Sequence, residues 1–377
     1  MSNDAMHNSP ATGEVIRHIY VHIPFCARIC PYCAFYKTRA DSSQTQRFCE
    51  AILQELNALS FQLKPQTIFF GGGTPTALTS KNLEFLLRGF RQQLDLSSLR
   101  EWTVEANPGS VSLRKAQMMR ALGVSRISLG VQSWNDRLLQ LLGREHNAAQ
   151  AHESFEILRA AGFENVNVDL MFALPTQTLA EWQSSLEQTI ALRTQHISTY
   201  CLTYEEDTEF FLRHARGEFK SDSDADAKFF ETAMQMMGNA GYEHYEISNY
   251  ARPGFSSTHN LSYWAGENYL GLGPSAYSTV GTQRWQNIAD YRSYADKVLA
   301  GNSAIASVEE LNEETKRREQ IALGLRTRDG VPSRWLEQRP NERDEFVALG
   351  LLRSRNGNFV LTSAGKLLAD TVAEAFI

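Results

Sequence analysis

The sequence has no run of about 18 consecutive apolar residues, so it offers no segment able to span a bilayer as a helix. Residues 1–14 lack the basic stretch followed by an apolar stretch that marks a secretory signal. Basic charge is not in excess: 37 Lys and Arg stand against 43 Asp and Glu, a net charge of −6. That balance argues against a nucleic-acid binder whose affinity comes from counterion release. Cysteine is scarce and odd in number, five in 377 residues, which points away from a disulfide framework and toward reduced thiols in a cytoplasm. Neither G-x-G-x-x-G nor a P-loop occurs, nor any internal repeat or low-complexity tract. What is there is globular in composition, 42% hydrophobic and 21% charged, and long enough for a large core with one or two appendages.

Short β-rich runs alternate with amphipathic segments along the first 204 residues. Strands are predicted over 18–24, 66–70, 102–106, 126–131, 166–174 and 197–204, and helices over 45–59, 81–94, 112–122, 148–161 and 179–192. In the second helix Leu83, Leu86, Leu87, Phe90 and Leu94 fall on one face. Such alternation predicts an α/β fold with a parallel sheet and helices packed outside. Six units suit an incomplete barrel, with a doubly wound sheet as the alternative. Beyond, a helix is expected over 225–240, a strand over 242–250, and a Gly- and aromatic-rich stretch over 252–277. The end of the chain reads as helix, hairpin turning at Asn356-Gly357, and helix, a winged-helix-like pattern taken as a packing module.

The strongest chemical feature is Cys26-Ala27-Arg28-Ile29-Cys30-Pro31-Tyr32-Cys33, a C-x3-C-x2-C array after the first strand. Three such thiolates can hold three irons of a cubane [4Fe–4S] cluster and leave the fourth open to an external chelator. A zinc site completed by His22 or His18 is the alternative. Next, a strand runs into Gly71-Gly72-Gly73-Thr74-Pro75, where backbone can approach a ligand such as an amino acid's ammonium or carboxylate without Cβ interference, or simply turn. Glu105, before Asn107-Pro108-Gly109, sits at a strand end on the functional face of such folds, or caps a helix. Gln132 repeats the placement on the next strand. Asp169 lies within an apolar strand and needs a donor, for which Arg144 is a candidate. Finally, His259-Asn260-Leu261-Ser262-Tyr263-Trp264 sets an imidazole among large rings, either a haem ligand with rings flanking the macrocycle or a core histidine.

Together these motifs resemble the radical S-adenosylmethionine (SAM) proteins, and more narrowly the anaerobic coproporphyrinogen III oxidase family, over nearly the whole chain from Tyr20 to Gly365. Two branches of that family differ. The oxidases carry a further cysteine two residues after the third, where this chain has Phe35 preceded by Ala34, and they begin with a longer extension. His259, Asn260, Tyr263 and Trp264 instead resemble the mark of the haem-chaperone branch, although that branch often has Asp where Ala34 stands. The resemblance implies an incomplete (β/α)6 radical SAM barrel over 17–240 after a flexible 1–16, a connecting region with the haem motif over 241–305, and a mixed α+β, winged-helix-like region over 306–377.

It also implies roles. Cys26, Cys30 and Cys33 would hold the cluster, and SAM would chelate the open iron. Tyr20 and Tyr32 would flank SAM, Gly72, Gly73 and Thr74 would meet its methionine end, and Glu105, Gln132, Arg144 and Asp169 would line the rest. His259, Tyr263 and Trp264 would meet haem. The expected function is a cytoplasmic haem chaperone that passes haem to acceptor proteins, with an electron donor as a further partner, no nucleic acid, and membrane association only peripherally through acceptors. An oxygen-independent coproporphyrinogen III oxidase-like enzyme of porphyrin biosynthesis is the alternative; no catalytic residue for that reaction is assigned.

Overall fold

The computed structural model describes residues 14–39, 41–59 and 63–377. The expectation of a flexible N-terminus falls largely on 1–13, outside the described residues. Six parallel strands carry the first half: β1 (Ile16–Ile23), β2 (Leu63–Gly72), β3 (Glu101–Ala106), β4 (Arg126–Gln132), β5 (Asn165–Phe172) and β6 (His196–Cys201). Six further strands widen the sheet at both edges: β7 (Glu243–Glu246), β8 (Asn249–Ala251), β9 (Tyr269–Leu272), β10 (Tyr277–Val280), β11 (Gln283–Asn287) and β12 (Ile305–Glu310). The order is β12-β11-β10-β9-β1-β2-β3-β4-β5-β6-β8-β7. Strands of the connecting region 241–305 thus join the same sheet as the barrel core, and β9 runs parallel to β1.

The strands alternate sharply. Ile19, Val21, Ile68, Phe70, Trp102, Val104, Ile127, Leu129, Val166, Val168 and Ile197 are buried in one core with the outer helices. Those helices start at side-chain caps: Thr79 for Ser80–Gln93, and capping boxes at Asn147 for Ala148–Ala160 and Thr178 for Leu179–Ala191. Leu83, Leu86, Leu87 and Phe90 are buried as the helical period predicts, each worth about 1.5–3 kcal/mol on removal from water. The intervening residues face the concave side and are mostly polar, Phe69 and Met171 excepted. Register sets them in rows: His18 beside Thr67, Thr67 beside Glu101, Thr103 beside Arg126, Glu105 beside Ser128, and Ser128 beside Asn167.

One expectation is corrected. The strand over 242–250 is two strands, β7 and β8, with a register shift between them. The Gly- and aromatic-rich stretch over 252–277, to which the sequence assigns no element, contains a helix, Thr258–Trp264, capped by the Ser257 side chain. The C-terminal region forms its own core around Ile321, Leu325, Leu336, Val372 and Phe376. Its hairpin pairs Leu352–Arg355 with Asn358–Leu361, and Asn356 and Gly357 take φ of 51° and 81°, the left-handed pair that a two-residue hairpin turn requires. This region is stitched to the large sheet where Ile247 N donates to Arg326 O at 3.1 Å and Arg328 N to Tyr245 O at 2.9 Å, covering the edge of β7. Among the described residues no helix is long and apolar enough to cross a membrane.

Candidate cofactor site at the C-terminal ends of the barrel strands

Cys26 lies just beyond β1, in a two-residue strand, Phe25–Cys26, paired with Thr38–Arg39. The loop between them carries Cys30 and Cys33, and Cys33 N donates to Cys30 O at 3.2 Å. All three thiols are half-buried. Burial pushes the Cys26 thiol up to about 11; Cys33 and Cys30 push the same way, while Thr74 and Arg144 oppose. Thr74 Oγ1 is 3.8 Å from Cys26 Sγ, and the Arg144 guanidinium donates toward Cys30 Sγ at 3.5 Å. Tyr32 is half-buried, and desolvation of its hydroxyl is the first cause that holds it protonated. Iron binding must displace protons from the Cys26 and Cys33 thiols, which burial holds neutral.

The zinc alternative lacks its histidine. His22 Nδ1 meets Tyr20 Oη at 3.1 Å and its Nε2 meets Tyr36 O at 2.9 Å. His18 is engaged at both nitrogens too, with Thr67 at 2.9 Å and Glu267 at 2.8 Å. Among the described residues no three His, Cys, Asp or Glu side chains are grouped to hold one metal ion. The three thiols are near enough to perturb one another, and a cubane would offer each thiolate its own iron.

The glycine loop is explained differently from the expectation. Gly73 N donates to Ile23 O at 2.9 Å and Thr74 N to Phe25 O at 2.8 Å, so the loop is laced to the segment leading into Cys26. A Cβ on Gly73 would lie 2.7 Å from the Pro24 carbonyl carbon and 2.8 Å from Ile23 O. Gly73 is therefore required by the protein's own backbone. Gly72 has φ +102° and a Cβ there would sit 2.5 Å from the His22 ring.

Glu105 is not a helix cap: its Oε2 accepts from Gly72 N at 3.2 Å. Burial, then the Asp169 charge, raises its carboxyl to about 8. Asp169 is not paired with Arg144; it accepts from Asn167 at 2.7 Å and from Ser128 at 3.0 Å. Arg144 instead donates to Asn107 Oδ1 at 2.6 Å and Gly130 O at 2.7 Å, fixing it beside the cysteine loop. Gln132 ends β4 with φ 68°, a conformation non-glycine residues seldom adopt, and its amide lies near Gly130. Tyr20 stands on β1 with its hydroxyl on His22 and its proton held by burial. Tyr20, Tyr32, Gly72, Gly73, Thr74, Glu105, Gln132, Arg144 and Asp169 thus gather with the cysteines around one end of the barrel. Sequence reasoning missed Asn107, which joins Thr74 (2.9 Å) to Arg144, and the buried Arg126.

The His259 helix lies elsewhere, packed on the lower rows of the sheet. His259 is buried, stacked on Phe69 at 5.0 Å between ring centroids and met edge-on by Tyr263 at 4.7 Å. Trp264 points away from that stack, with Arg326 5.0 Å over its ring. Burial lowers the His259 imidazole to about 3, so the ring is neutral.

With this geometry in place, comparison with known proteins is decisive. The Radical SAM superfamily model matches residues 20–189. The chain is 36% identical over 368 residues to the heme chaperone HemW of Lactococcus lactis, covering 95% of this chain and 96% of that one. It is 40% identical over 271 residues to the Haemophilus influenzae HemW, covering 70% of each. The chain belongs to the HemW family. The HemW of Escherichia coli is 32% identical, with 95% and 97% covered. Among solved structures, the Escherichia coli coproporphyrinogen III oxidase HemN, a radical SAM enzyme, superposes with a TM-score of 0.82 at 21% identity, covering 99% of this chain and 92% of that one. That likeness shows the fold, an α/β radical SAM barrel, and HemW and HemN thereby share an architecture.

Proposed function

We propose that this protein is a cytoplasmic haem chaperone that binds haem and hands it to acceptor proteins. In this reading it carries a [4Fe–4S] cluster on Cys26, Cys30 and Cys33, with SAM on the open iron. The observation that carries the reading is end-to-end similarity to relatives named heme chaperones, together with Phe35 at the position where the oxidases have a further cysteine. Phe35 can neither ligate a metal nor relay a proton, so coproporphyrinogen oxidation is not expected.

The cluster supplies one electron to the SAM sulfonium when both are bound. The residues around it then have separable tasks. Thr74 and Arg144 sit against Cys26 and Cys30, and both favour the Cys26 thiolate. Tyr20, Tyr32, Gly72, Gly73, Gln132 and Asp169 bound the volume where SAM lies. Glu105, raised to about 8, is largely protonated at neutral pH and offers a neutral donor there. For haem, His259 has the right donor chemistry, because its Nε2 is buried without a hydrogen-bond partner. The ring is enclosed as it stands, so the helix Thr258–Trp264 must shift for iron to reach it. Phe69 and Tyr263 are the rings packed on the imidazole, and Trp264 would have to turn toward it to cover a macrocycle with Tyr263. An electron donor and haem acceptors are the protein partners this reading needs.

The test is an anaerobic haem titration of cluster-reconstituted protein, with coproporphyrinogen III turnover assayed in parallel. Stoichiometric haem binding without turnover is expected. Efficient turnover would transfer the protein to the oxidase branch, and absence of haem binding would end the chaperone reading.

A further inference from the structure

Four side chains from three separate parts of the chain form one hydrogen-bonded line beneath the barrel. Glu267 Oε2 is 2.8 Å from His18 Nε2, His18 Nδ1 is 2.9 Å from Thr67 Oγ1, and Thr67 Oγ1 is 2.7 Å from His259 Nδ1. With His18 neutral, the line read from its carboxylate end has one consistent set of proton positions; a doubly protonated His18 would reverse it. A carboxylate only accepts, so the proton of a neutral His18 sits on Nε2. His18 Nδ1 is then an acceptor and takes the Thr67 hydroxyl proton. The Thr67 oxygen, its proton spent, accepts from His259, so the His259 proton sits on Nδ1. His259 Nε2 is left as a bare lone pair, and no group meets it.

We infer that Glu267, His18 and Thr67 are positioning residues that hold His259 in the Nδ1–H tautomer, so that its Nε2 lone pair is the one free to bind a metal, the haem iron. The inference rests on the haem-chaperone reading for its purpose, and on these distances with a neutral His18 for its proton assignment. A ligating histidine ordinarily donates its other ring N–H to a fixed acceptor, which sets both tautomer and ring orientation. Here that acceptor is a hydroxyl whose own proton is committed elsewhere. Stacking on Phe69 and the edge of Tyr263 fix the ring plane as well. The sequence puts the parts together through strand register, since His18 and Thr67 are cross-strand partners. His259 lies in the first turn of the helix Thr258–Trp264, and Glu267 follows just beyond its C-terminal end.

The line differs from a merely satisfied core histidine in one respect. A core histidine uses both nitrogens, as His196 does here with Asn167 at 2.6 Å and Tyr245 at 2.7 Å. His259 uses one, although it is buried to 1% exposure. Leaving an acceptor unmet in the interior costs roughly 1–3 kcal/mol. That cost is carried at a residue of the motif shared with the haem-chaperone branch.

The test uses full-length protein labelled with 15N-histidine, with His259 assigned by difference against His259→Gln. Wild type should show a protonated-type Nδ1 and a bare-type Nε2 at this residue before any haem is added. Thr67→Val breaks the line and should lose that signature, whereas Thr67→Ser, which keeps the hydroxyl, should retain it. Glu267→Ala, at a half-exposed position, should release His18 and blur the tautomer of His259 in a protein that still folds. Haem affinity should fall at least about tenfold in Thr67→Val and stay within about twofold of wild type in Thr67→Ser. A proton on Nε2 in the wild type, or a His259 signal unchanged in both Thr67→Val and Glu267→Ala, overturns the relay. Loss of the signature with unchanged haem affinity overturns its purpose. Wild-type protein that shows the tautomer but binds no haem fails the chaperone reading and leaves the proton assignment standing.

Discussion

Replacing Glu101 should loosen the His259 helix more than any surface change could. Glu101 is 5% exposed and accepts from Thr258 N at 2.9 Å, Ser257 Oγ at 3.1 Å, His259 N at 3.3 Å and Thr103 Oγ1 at 3.3 Å. Two of these donors are orphan N–H groups at the start of a seven-residue helix, which has few internal bonds of its own. In Glu101→Ala the two hydroxyls can turn to other acceptors, but the two N–H groups cannot. At about 1–3 kcal/mol for each stranded donor, the expected loss is about 4 kcal/mol. Glu101→Gln keeps one acceptor oxygen and loses the charge, for about 2 kcal/mol. Urea unfolding of the full-length protein measures the global figure, and amide exchange at Thr258 and His259 measures the local one. Both amides should exchange faster in Glu101→Ala even where the rest of the barrel is unchanged. A variant within about 0.5 kcal/mol of wild type, with both amides still protected, would show that packing alone holds the helix and that the carboxylate is incidental.

Other expectations follow from the cofactor end of the barrel. Cys26→Ser, Cys30→Ser and Cys33→Ser should each abolish the oxygen-sensitive brown chromophore, while Cys49→Ser, in the helix Ser42–Leu59, and Cys201→Ser, on β6, should retain full iron; iron loss from Cys201→Ser would refute an open fourth site. Gly73→Val should lose iron as well as SAM affinity, because its Cβ meets the backbone of Ile23 and Pro24 just before Cys26; normal iron content with lost SAM binding would restore a direct ligand role for this glycine. Glu105 titrates near 8 when folded against an ordinary 4.5, so the folded state binds the extra proton. Its contribution therefore makes stability fall as pH rises from about 4.5 to about 8, by at most about 1.4 kcal/mol per pH unit. Glu105→Gln should flatten that slope in cluster-free protein, and an unchanged pH profile would place the carboxyl in contact with bulk water.

The six barrel strands and the helices between them were legible because Val, Ile and Leu mark the outer face and caps such as Asn147 and Thr178 mark the helix starts. The polar inner face was there to be read as well. His18, Tyr20 and His22, or Asn167 and Asp169, recur at every second residue, and a period of two within an apolar run says that one face is not core. Reading the strands simply as apolar runs hid Arg126, Thr67 and Glu101. The helix Thr258–Trp264 was a different case. Seven residues cannot show a helical period, and the carboxylate at its N-terminus comes from a residue 157 positions earlier. The pairing of Asp169 with Arg144 failed because Asn167 and Ser128, on the same and the adjacent strand, were nearer donors.

The place of β1 at the middle of the sheet governs how the chain can be built. Val21 pairs with Phe70 on one side and with Leu272 on the other. The first neighbour is synthesised soon after, but the second lies 251 residues downstream, from Val21 to Leu272. At about 5–20 residues per second, the nascent chain waits roughly 10–50 s with the unpaired flank of its central strand uncovered. During that interval the flank is a row of open donors and acceptors, ready to recruit any extended peptide nearby. The strand that leads into the cysteine loop is thus translated first, and its second flank can pair only once β9 has been made.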